Sequence, residues 1–122
     1  MPWTVKIDLI KDWLDKQEED IATDIGSAIN KLEEEGPNLG RPLVDVLHSS
    51  AIHNLKELRP YTRPGVEVRV LFAFDPRRNA VLLLAGDKAS GKSNTRRWNK
   101  WYKKAIPQAE DIYRQYLERE GA

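Results

Sequence analysis

The sequence contains no cysteine, and this absence excludes several classes of protein. A chain without thiols has no disulfide framework, no thiolate metal site and no cysteine nucleophile. The absence also agrees with a reducing compartment, where disulfides are rare. Any chemistry that the protein performs must therefore use other side chains.

Long apolar runs are missing as well. No stretch approaches the roughly 18 apolar residues that a membrane helix needs. The segment Met1–Thr4 lacks the pattern of a secretory signal. We therefore predict a soluble, cytoplasmic protein with no membrane partner. The length of 122 residues predicts a single domain over residues 1–122, and no internal repeat divides it.

The charged residues are unevenly distributed, although the formal net charge is only +1. Residues 1–36 carry ten acidic and four basic side chains, whereas residues 56–104 carry four acidic and thirteen basic ones. A basic segment of this kind is typical of proteins that bind a polyanion such as a nucleic acid. A solvated surface that happens to be basic is the alternative, and composition does not separate the two.

The first third of the chain shows one strand pattern and two helical patterns. Residues 3–7 alternate well enough to predict a short strand. Apolar residues then recur at helical spacing in two segments from about Asp8, and Gly36-Pro37 ends the second. We expect these two helices to form an antiparallel hairpin that carries the acidic residues. Residues 43–47 are apolar, but the run is too short to assign.

The remainder predicts an antiparallel sheet and a closing helix. The predicted strands span residues 52–59, 66–74 and 80–85, and the short turns between them make neighbours antiparallel. From Thr95 onward an aromatic stripe at helical spacing predicts a C-terminal helix packed on the sheet, with a kink or a break near Ala105 because Pro107 follows. The fold class is α+β, with a sheet of three to four strands.

The segment from Gly86 to Ser93, "GDKASGKS", matches the spacing of a phosphate-binding loop, and Asp75 ends an apolar run like the magnesium-binding companion of such loops. A phosphate loop works in a parallel strand–helix unit. Here the short turn makes the strand that ends at Asp75 antiparallel to the next one, which places Asp75 at the opposite end of the sheet from Lys92. A small nucleotide-binding protein is therefore the least favoured hypothesis.

Three segments, in this order and spacing, resemble the RelE/ParE superfamily of bacterial toxins, and most closely its HigB-like, phage-derived branch. They are "LKELRP" at Leu55–Pro60, "VRVLFAF" at Val68–Phe74 and "AVLLLAGDKASGKS" at Ala80–Ser93. The similarity covers roughly residues 32–116. It implies a RelE-like fold and the toxin component of a type II toxin–antitoxin system. In this interpretation residues 86–93 form the lysine-rich loop of the toxin.

The resemblance further implies an endoribonuclease that cuts mRNA on the ribosome and inhibits translation, without metal or cofactor. Its partners would be the ribosome, mRNA and a cognate helix-turn-helix antitoxin. RNA carries its own nucleophile, the 2′-hydroxyl. The protein must remove that proton, stabilise charge on the phosphate and protonate the leaving oxygen, and clustered lysine and arginine side chains can do this.

The resemblance assigns catalytic roles to four basic residues. Arg69 would contact the scissile phosphate, and Lys88 would stabilise the transition state or protonate the leaving group. Lys56 and Arg59 would act as base or hold phosphate, although strand alternation puts them on one face only if the strand bends. The alternatives are an ion pair of Arg69 with Glu57 or Glu67, a structural role for Arg59 and a plain surface role for the lysines.

The predicted RNA-binding residues are Lys92, Arg96, Arg97, Trp98, Lys100 and Tyr102. The basic cluster Arg96, Arg97, Lys100, Lys103 and Lys104 would bind the backbone of ribosomal RNA or, equally, an acidic antitoxin segment. His53, and less so His48, is a candidate general base. Many ribosome-dependent relatives carry a tyrosine near the start of the last helix, which this sequence lacks, so Trp98 or Tyr102 would have to replace it. This departure keeps open a non-nuclease toxin of the same fold that inhibits DNA gyrase.

Overall fold

The computed structural model shows an α+β protein, and it describes residues 3–48, 50, 55–89 and 95–121, with backbone alone at residues 88, 89 and 95–97. The described helices are α1 (Lys11–Asp15), α2 (Glu19–Glu35) and α3 (Thr95–Glu120). The described strands are β1 (Thr4–Lys6), β2 (Val44–Val46), β3 (Leu55–Leu58), β4 (Val66–Phe74) and β5 (Asn79–Ala89). Short 3₁₀ turns at Asp8–Ile10 and Gly36–Asn38 precede α1 and follow α2. None of the described helices is long and apolar enough to cross a membrane.

The described strands form one mixed sheet in the order β1-β5-β4-β3-β2. The antiparallel pairing of β3, β4 and β5 is confirmed. The prediction of a purely antiparallel sheet with three to four strands is wrong at both edges. β1 pairs with β5 in parallel, and β2, the segment left unassigned above, adds a fifth strand beside β3. The parallel pairing of β1 is possible because a long stretch of chain, including α1 and α2, separates it from β5.

β4 and β5 form the longest strand pair. β4 spans Val66–Phe74, as alternation predicts, but β5 is longer than predicted and continues to Ala89. A β-bulge at Leu83 shifts the register between the two strands. Residues 86–89 therefore lie in a strand, so the expected loop over this part of the phosphate-loop-like segment is wrong. Lys92 and the rest of that segment lie outside the described residues.

The two faces of the sheet bury separate cores, which we call the α2 side and the α3 side. The α2-side core contains Ile21, Ile25, Ala28 and Leu32 of α2 with Leu58, Val68, Val70, Phe72 and Leu82 of the strands. The α3-side core contains Ala105, Ile106, Ala109, Tyr113 and Tyr116 of α3 with Leu55, Leu71, Ala73, Val81 and Leu83. Each fully buried Leu, Ile or Phe stabilises the fold by about 1.5–3 kcal/mol. Because neighbouring residues of a strand point to opposite faces, alternation along each strand decides whether a side chain faces α2 or α3.

Helix α3 runs without a break from Thr95 to Glu120. Of the kink or break expected near Ala105, the break is therefore wrong, and the kink stays a prediction. Pro107 is exposed, whereas Ala105, Ile106 and Ala109 are buried against the sheet. A proline inside a helix costs about 3 kcal/mol. Packing of the residues around Pro107 offsets that cost, which is why a local rule about proline failed here.

Candidate functional site

Glu57 is the centre of a polar cluster on the α3 side of the sheet. Leu55 packs in the α3-side core and Leu58 in the α2-side core, so alternation along β3 directs Glu57 and Arg59 toward α3. Glu57 is only 3% exposed. The Tyr102 hydroxyl donates a hydrogen bond to Glu57 Oε2 at 2.5 Å, and Arg59 Nε lies 3.1 Å from Oε1. Each carboxylate oxygen thus has a partner, as a buried charge requires.

Tyr102 is the donor that α3 contributes to this cluster. Burial raises the pKa of Tyr102 to about 12, its hydrogen bond to the Glu57 carboxylate adds to the rise, and the Arg69 guanidinium opposes it. An ordinary tyrosine ionises near pH 10. The phenol of Tyr102 is therefore protonated at physiological pH and serves as a hydrogen-bond donor. It orients Glu57, which in turn holds Arg59.

Arg69 of β4 lies on the same side and is packed beneath α3. Its guanidinium carbon is 5.0 Å from the centre of the Trp98 ring. Its Nη1 donates to the Val68 carbonyl at 3.0 Å, and its Nη2 lies 3.7 Å from Glu67 Oε1. The Trp98 indole donates to the same Glu67 carboxylate at 2.8 Å. The side chain of Arg69 is 14% exposed, so its charge is held mainly by groups of the protein itself.

A groove of about 700 Å³ opens beside this cluster, between α3 and the chain around β2 and β3. Arg59 and Tyr102 line it together with Lys103 of α3 and His48, which follows β2. The Arg59 side chain is 40% exposed, and Lys103 and His48 are exposed. Glu110, at the groove as well, accepts a hydrogen bond from Ser50 at 2.7 Å. An open groove with two exposed cations suits an anionic chain, and His48 lines the same groove.

A family model described as "Phage derived protein Gp49-like (DUF891)" matches residues 12–114, which include β2 to β5 and the groove-lining part of α3. The chain belongs to this Gp49-like family.

Two proteins from Mycobacterium tuberculosis, which carry the toxin names HigB2 and HigB3, are relatives of this chain. The first is 43% identical over 115 residues, which are 94% of this chain and 54% of that protein. The second is 44% identical over 108 residues, which are 88% of this chain and 87% of that protein. The chain thus spans about half the length of the first relative and most of the second. Both names agree with the HigB-like part of the resemblance, and membership of the wider RelE/ParE superfamily stays a prediction.

The Gp49-like fold brings some predicted site residues together and separates others. Arg59, Arg69 and Tyr102 share the α3 side around Glu57. Lys56 does not join them, because strand alternation turns it to the α2 side, where its Nζ lies 5.3 Å from the centre of the Phe74 ring. The strand bend that would have united Lys56 with Arg59 is absent from β3 as described.

The remaining predicted residues are only partly described. The backbone of Lys88 pairs with Glu67 in the β4–β5 register. Arg96 and Arg97 belong to the first turn of α3, and their side chains lie outside the described residues, as do Lys92 and His53. Lys100 is exposed on α3, whereas Trp98 is 7% exposed and packs edge to face on Trp101. Their contacts with RNA stay a prediction.

Gly86, the first glycine of the phosphate-loop-like segment, has a packing role. A Cβ atom at this position would lie 2.7 Å from three atoms of the Trp101 indole. Gly86 also sits within β5, opposite Arg69. Glycine is therefore favoured here because an aromatic ring of α3 rests on the strand, which explains one glycine of the motif without any phosphate.

The sequence predicts Glu57 and Glu67 only as possible ion-pair partners of Arg69, whereas it predicts His48 as a lesser candidate base and Lys103 as part of a basic cluster. Alternation would have found Glu57, since it lies two positions from Leu55 and two from Arg59 on one strand face. No local signal shows that Glu67 meets Trp98 or that Lys103 lines the groove, because both depend on where α3 crosses the sheet. Among the residues that the structure describes, no three His, Asp or Glu side chains come together as a metal site requires.

Proposed function

We propose that this chain is the toxin component of a toxin–antitoxin pair. The proposal is supported by the Gp49-like match over residues 12–114 and by two relatives with toxin names at 43% and 44% identity. A toxin of this kind requires a cognate antitoxin, which we propose to be a helix-turn-helix protein encoded next to it. Co-expression of that neighbour should abolish any growth arrest and yield a complex that copurifies.

We further propose that the toxin is an mRNA endonuclease that acts on the translating ribosome, in the cytoplasm. The single observation that carries this step is the groove, which combines exposed Arg59 and Lys103 with His48. A guanidinium binds phosphate oxygens as a fork, and Arg59 is oriented for this by the contact of its Nε with Glu57. Lys103 adds charge from the opposite wall.

The proposed reaction uses the RNA's own hydroxyl. His48 takes the proton of the 2′-hydroxyl, the 2′-oxygen forms a bond to phosphorus, and the bond from phosphorus to the 5′-oxygen breaks. The leaving 5′-oxygen takes a proton from solvent, and a 2′,3′-cyclic phosphate remains. Lys88 has no part in this proposal, because the register places its backbone at the far end of the sheet from His48. Arg59 stabilises the charge that develops on the phosphate. Arg69 is packed beneath Trp98 and acts indirectly, because its positive charge opposes the rise in the pKa of Tyr102.

The decisive test is inducible expression followed by mapping of mRNA 5′ ends. The wild type should arrest growth and create new ends within coding regions, and Arg59→Gln should lower cleavage by about 10²–10³-fold, as expected when one transition-state donor is removed. Arg63→Gln is the matched control, since Arg63 is exposed and pairs with Glu18 and Asp20 away from the groove. Intact message with the wild type, or equal cleavage by both variants, would refute the nuclease.

Ribosome dependence has its own test. Purified protein should cut a defined mRNA in a reconstituted translation reaction and leave the same RNA intact when ribosomes are omitted. Equal cutting of naked RNA would show a free ribonuclease, and the ribosome would then drop out of the proposal.

A non-nuclease toxin that inhibits DNA gyrase is the second candidate. It is favoured by the enclosure of Arg69 between Glu67 and Trp98, and by the hydrogen bond from the Tyr102 hydroxyl to Glu57, because these contacts make both groups less accessible to an RNA substrate. A supercoiling assay distinguishes it. Unchanged supercoiling with protein in excess over gyrase would remove this candidate.

A further inference from the structure

Lys56 lines a second groove on the α2 side of the sheet. This groove measures about 380 Å³ and lies between the turn after α2 and the edge strand β2. Arg41, His48 and Lys56 are its basic residues, and Asp45 is the acidic one among the described residues that line it. The groove therefore resembles the α3-side groove in charge, although it opens on the other face.

The two grooves meet at the edge of the sheet. Val46 and His48 line both of them. β2 is an edge strand of only three residues, Val44–Val46, so a path from one face to the other crosses the edge of a single short strand. Val46 is 42% exposed at this crossing. One extended chain is thus able to lie in both grooves without a change of fold.

The charges along this path favour an anionic ligand. Asp45 is neutralised by Arg41, whose Nε lies 3.0 Å from its carboxylate. Lys56 rests on the Phe74 ring, and no described carboxylate lies within ion-pair distance of its ammonium group. On the other face, Lys103 likewise has no described ion-pair partner. Two cations therefore remain uncompensated, one in each groove.

We propose that the two grooves form one continuous site for single-stranded RNA that passes over the β2 edge, with Lys56 and Arg41 holding the phosphates of the nucleotides that flank the scissile bond. The proposal rests on the proposed nuclease function, which places the reaction in the α3-side groove. It gives Lys56 a role in positioning RNA instead of a role in the chemistry.

The dimensions agree with a ligand of several nucleotides. Lys56 and Arg59 are three residues apart on β3, which is about 10 Å along the strand, and they face opposite sides of the sheet. Phosphates in a stacked strand are about 3.4 Å apart along its axis. The 10 Å offset alone takes about three such steps, and the passage over the β2 edge to the other face lengthens the path. A tetranucleotide is therefore too short to reach from Arg59 to Lys56 over that edge, whereas a decanucleotide, at about 30 Å, is long enough. Single-stranded sites of roughly 4–16 nucleotides are usual for a charged groove.

RNA explains this site better than an acidic protein segment does. Val46 presents an exposed apolar surface between the cations, which suits the face of a base. The path also ends in the groove where an RNA strand has to be held for cleavage. An acidic peptide would also meet the cations of both grooves, and binding of deca-glutamate distinguishes it from RNA.

Binding of 2′-O-methyl oligonucleotides, which lack the nucleophile and stay intact, tests the site by fluorescence anisotropy. Lys56→Gln should weaken binding of a decanucleotide about fourfold at 0.15 M salt and lower its salt slope by about 0.7, the value for one phosphate contact. The same variant should leave a tetranucleotide unaffected. Lys31→Gln is the control, because Lys31 is exposed on α2 and pairs with Glu34 and Glu35.

Gly40→Lys provides a second variant that gains a contact. Gly40 lines the α2-side groove, and a Cβ atom there would meet nothing within 4 Å. The added lysine should tighten decanucleotide binding about fourfold and raise the salt slope by about 0.7. Circular dichroism of each variant should match the wild type, which separates a loss of binding from a loss of fold.

The outcomes distinguish this inference from the proposed function. Equal decanucleotide affinity for the wild type, Lys56→Gln and Gly40→Lys would overturn the continuous site, even if Arg59→Gln still abolishes mRNA cleavage. Binding of deca-glutamate with the same dependence on Lys56, and none of RNA, would overturn it in favour of a protein partner. Lys56-dependent binding of the decanucleotide by a protein that cuts no RNA would uphold the site and refute the nuclease.

Discussion

Replacing Gly86 with alanine should destabilise the protein, because the added methyl group has no room. A Cβ atom at this position would lie 2.7 Å from the Cε2, Cζ2 and Nε1 atoms of Trp101. Ordinary contacts between such atoms are about 3.5–4.0 Å, so the indole would have to move by about 1 Å. Trp101 is itself packed against Trp98 at 5.2 Å and Tyr102 at 5.1 Å between ring centres.

The expected loss in the free energy of unfolding of Gly86→Ala follows from two opposing effects. Overpacking of a well-packed region costs about 1–3 kcal/mol. Replacing glycine by alanine also reduces the freedom of the unfolded chain, which returns about 0.4–1 kcal/mol. The net loss for Gly86→Ala is then about 1–2 kcal/mol, or a fall in Tm of about 4–10 °C for a domain of this size. Chemical denaturation followed by circular dichroism measures the loss directly.

Gly26→Ala is the matched control for this prediction. Gly26 lies within α2, and a Cβ atom there would meet nothing within 4 Å. Alanine is favoured over glycine inside a helix by about 1 kcal/mol, so this variant should be more stable than the wild type. The same substitution thus has opposite signs at the two positions.

A double-mutant cycle with Trp101→Leu identifies the cause. If the indole is responsible, Gly86→Ala should cost little in the Trp101→Leu background, where the clashing ring atoms are absent. A Gly86→Ala variant as stable as the wild type would refute the packing role of Gly86. An equal cost in both backgrounds would refute Trp101 as its reason.

Two further predictions concern buried hydrogen bonds and pH. Tyr102→Phe removes the donor to Glu57 and should cost about 1–3 kcal/mol. Since burial and Glu57 raise the pKa of Tyr102 to about 12, the contribution of this hydrogen bond to stability is complete below pH 10 and is lost as the pH rises through 12. The stability of the variant should therefore depend less on pH over that range. An unchanged profile would contradict this assignment. Burial raises the pKa of Asp75, but hydrogen bonds from Tyr116 and Asn79 outweigh burial and lower the pKa overall. The contribution of Asp75 to stability is therefore present above the ordinary pKa near 4 and is lost as the pH falls through the lowered pKa. Asp75→Asn should therefore cost about 1–3 kcal/mol in urea denaturation at pH 7 and progressively less as the pH falls below 4, and a cost that does not change with pH would disprove it.

Local pattern was a good guide wherever a single strand or helix carried enough residues. The nine residues of β4 were predicted with the correct bounds, because a long alternation leaves little choice of period. α2 and α3 followed from helical spacing in the same way. Pro107 shows the limit of such rules, since the packing of its neighbours on the sheet overrides its local preference.

Strand pairing and strand length were harder to predict from the sequence. β1 and β2 have three residues each, too few for alternation to indicate a partner. The parallel pairing of β1 with β5 joins residues more than seventy positions apart, for example Thr4 with Asn79. The continuation of β5 through Gly86 depends on its pairing with β4 and on the Trp101 ring, and no local feature of a segment rich in glycine and lysine signals either one.

For the candidate site, the sequence by itself determined the chemical inventory: a basic central segment, no thiol, and arginines at positions 59 and 69 of predicted strands. Only the tertiary structure decided which of these groups meet. It left β3 without the bend that would have joined Lys56 to Arg59, paired Arg59 with the buried Glu57, and brought Tyr102 from α3 onto that carboxylate. The physical reason is that composition and strand period are properties of neighbours along the chain, whereas a buried ion pair and a groove exist only where a helix crosses a sheet.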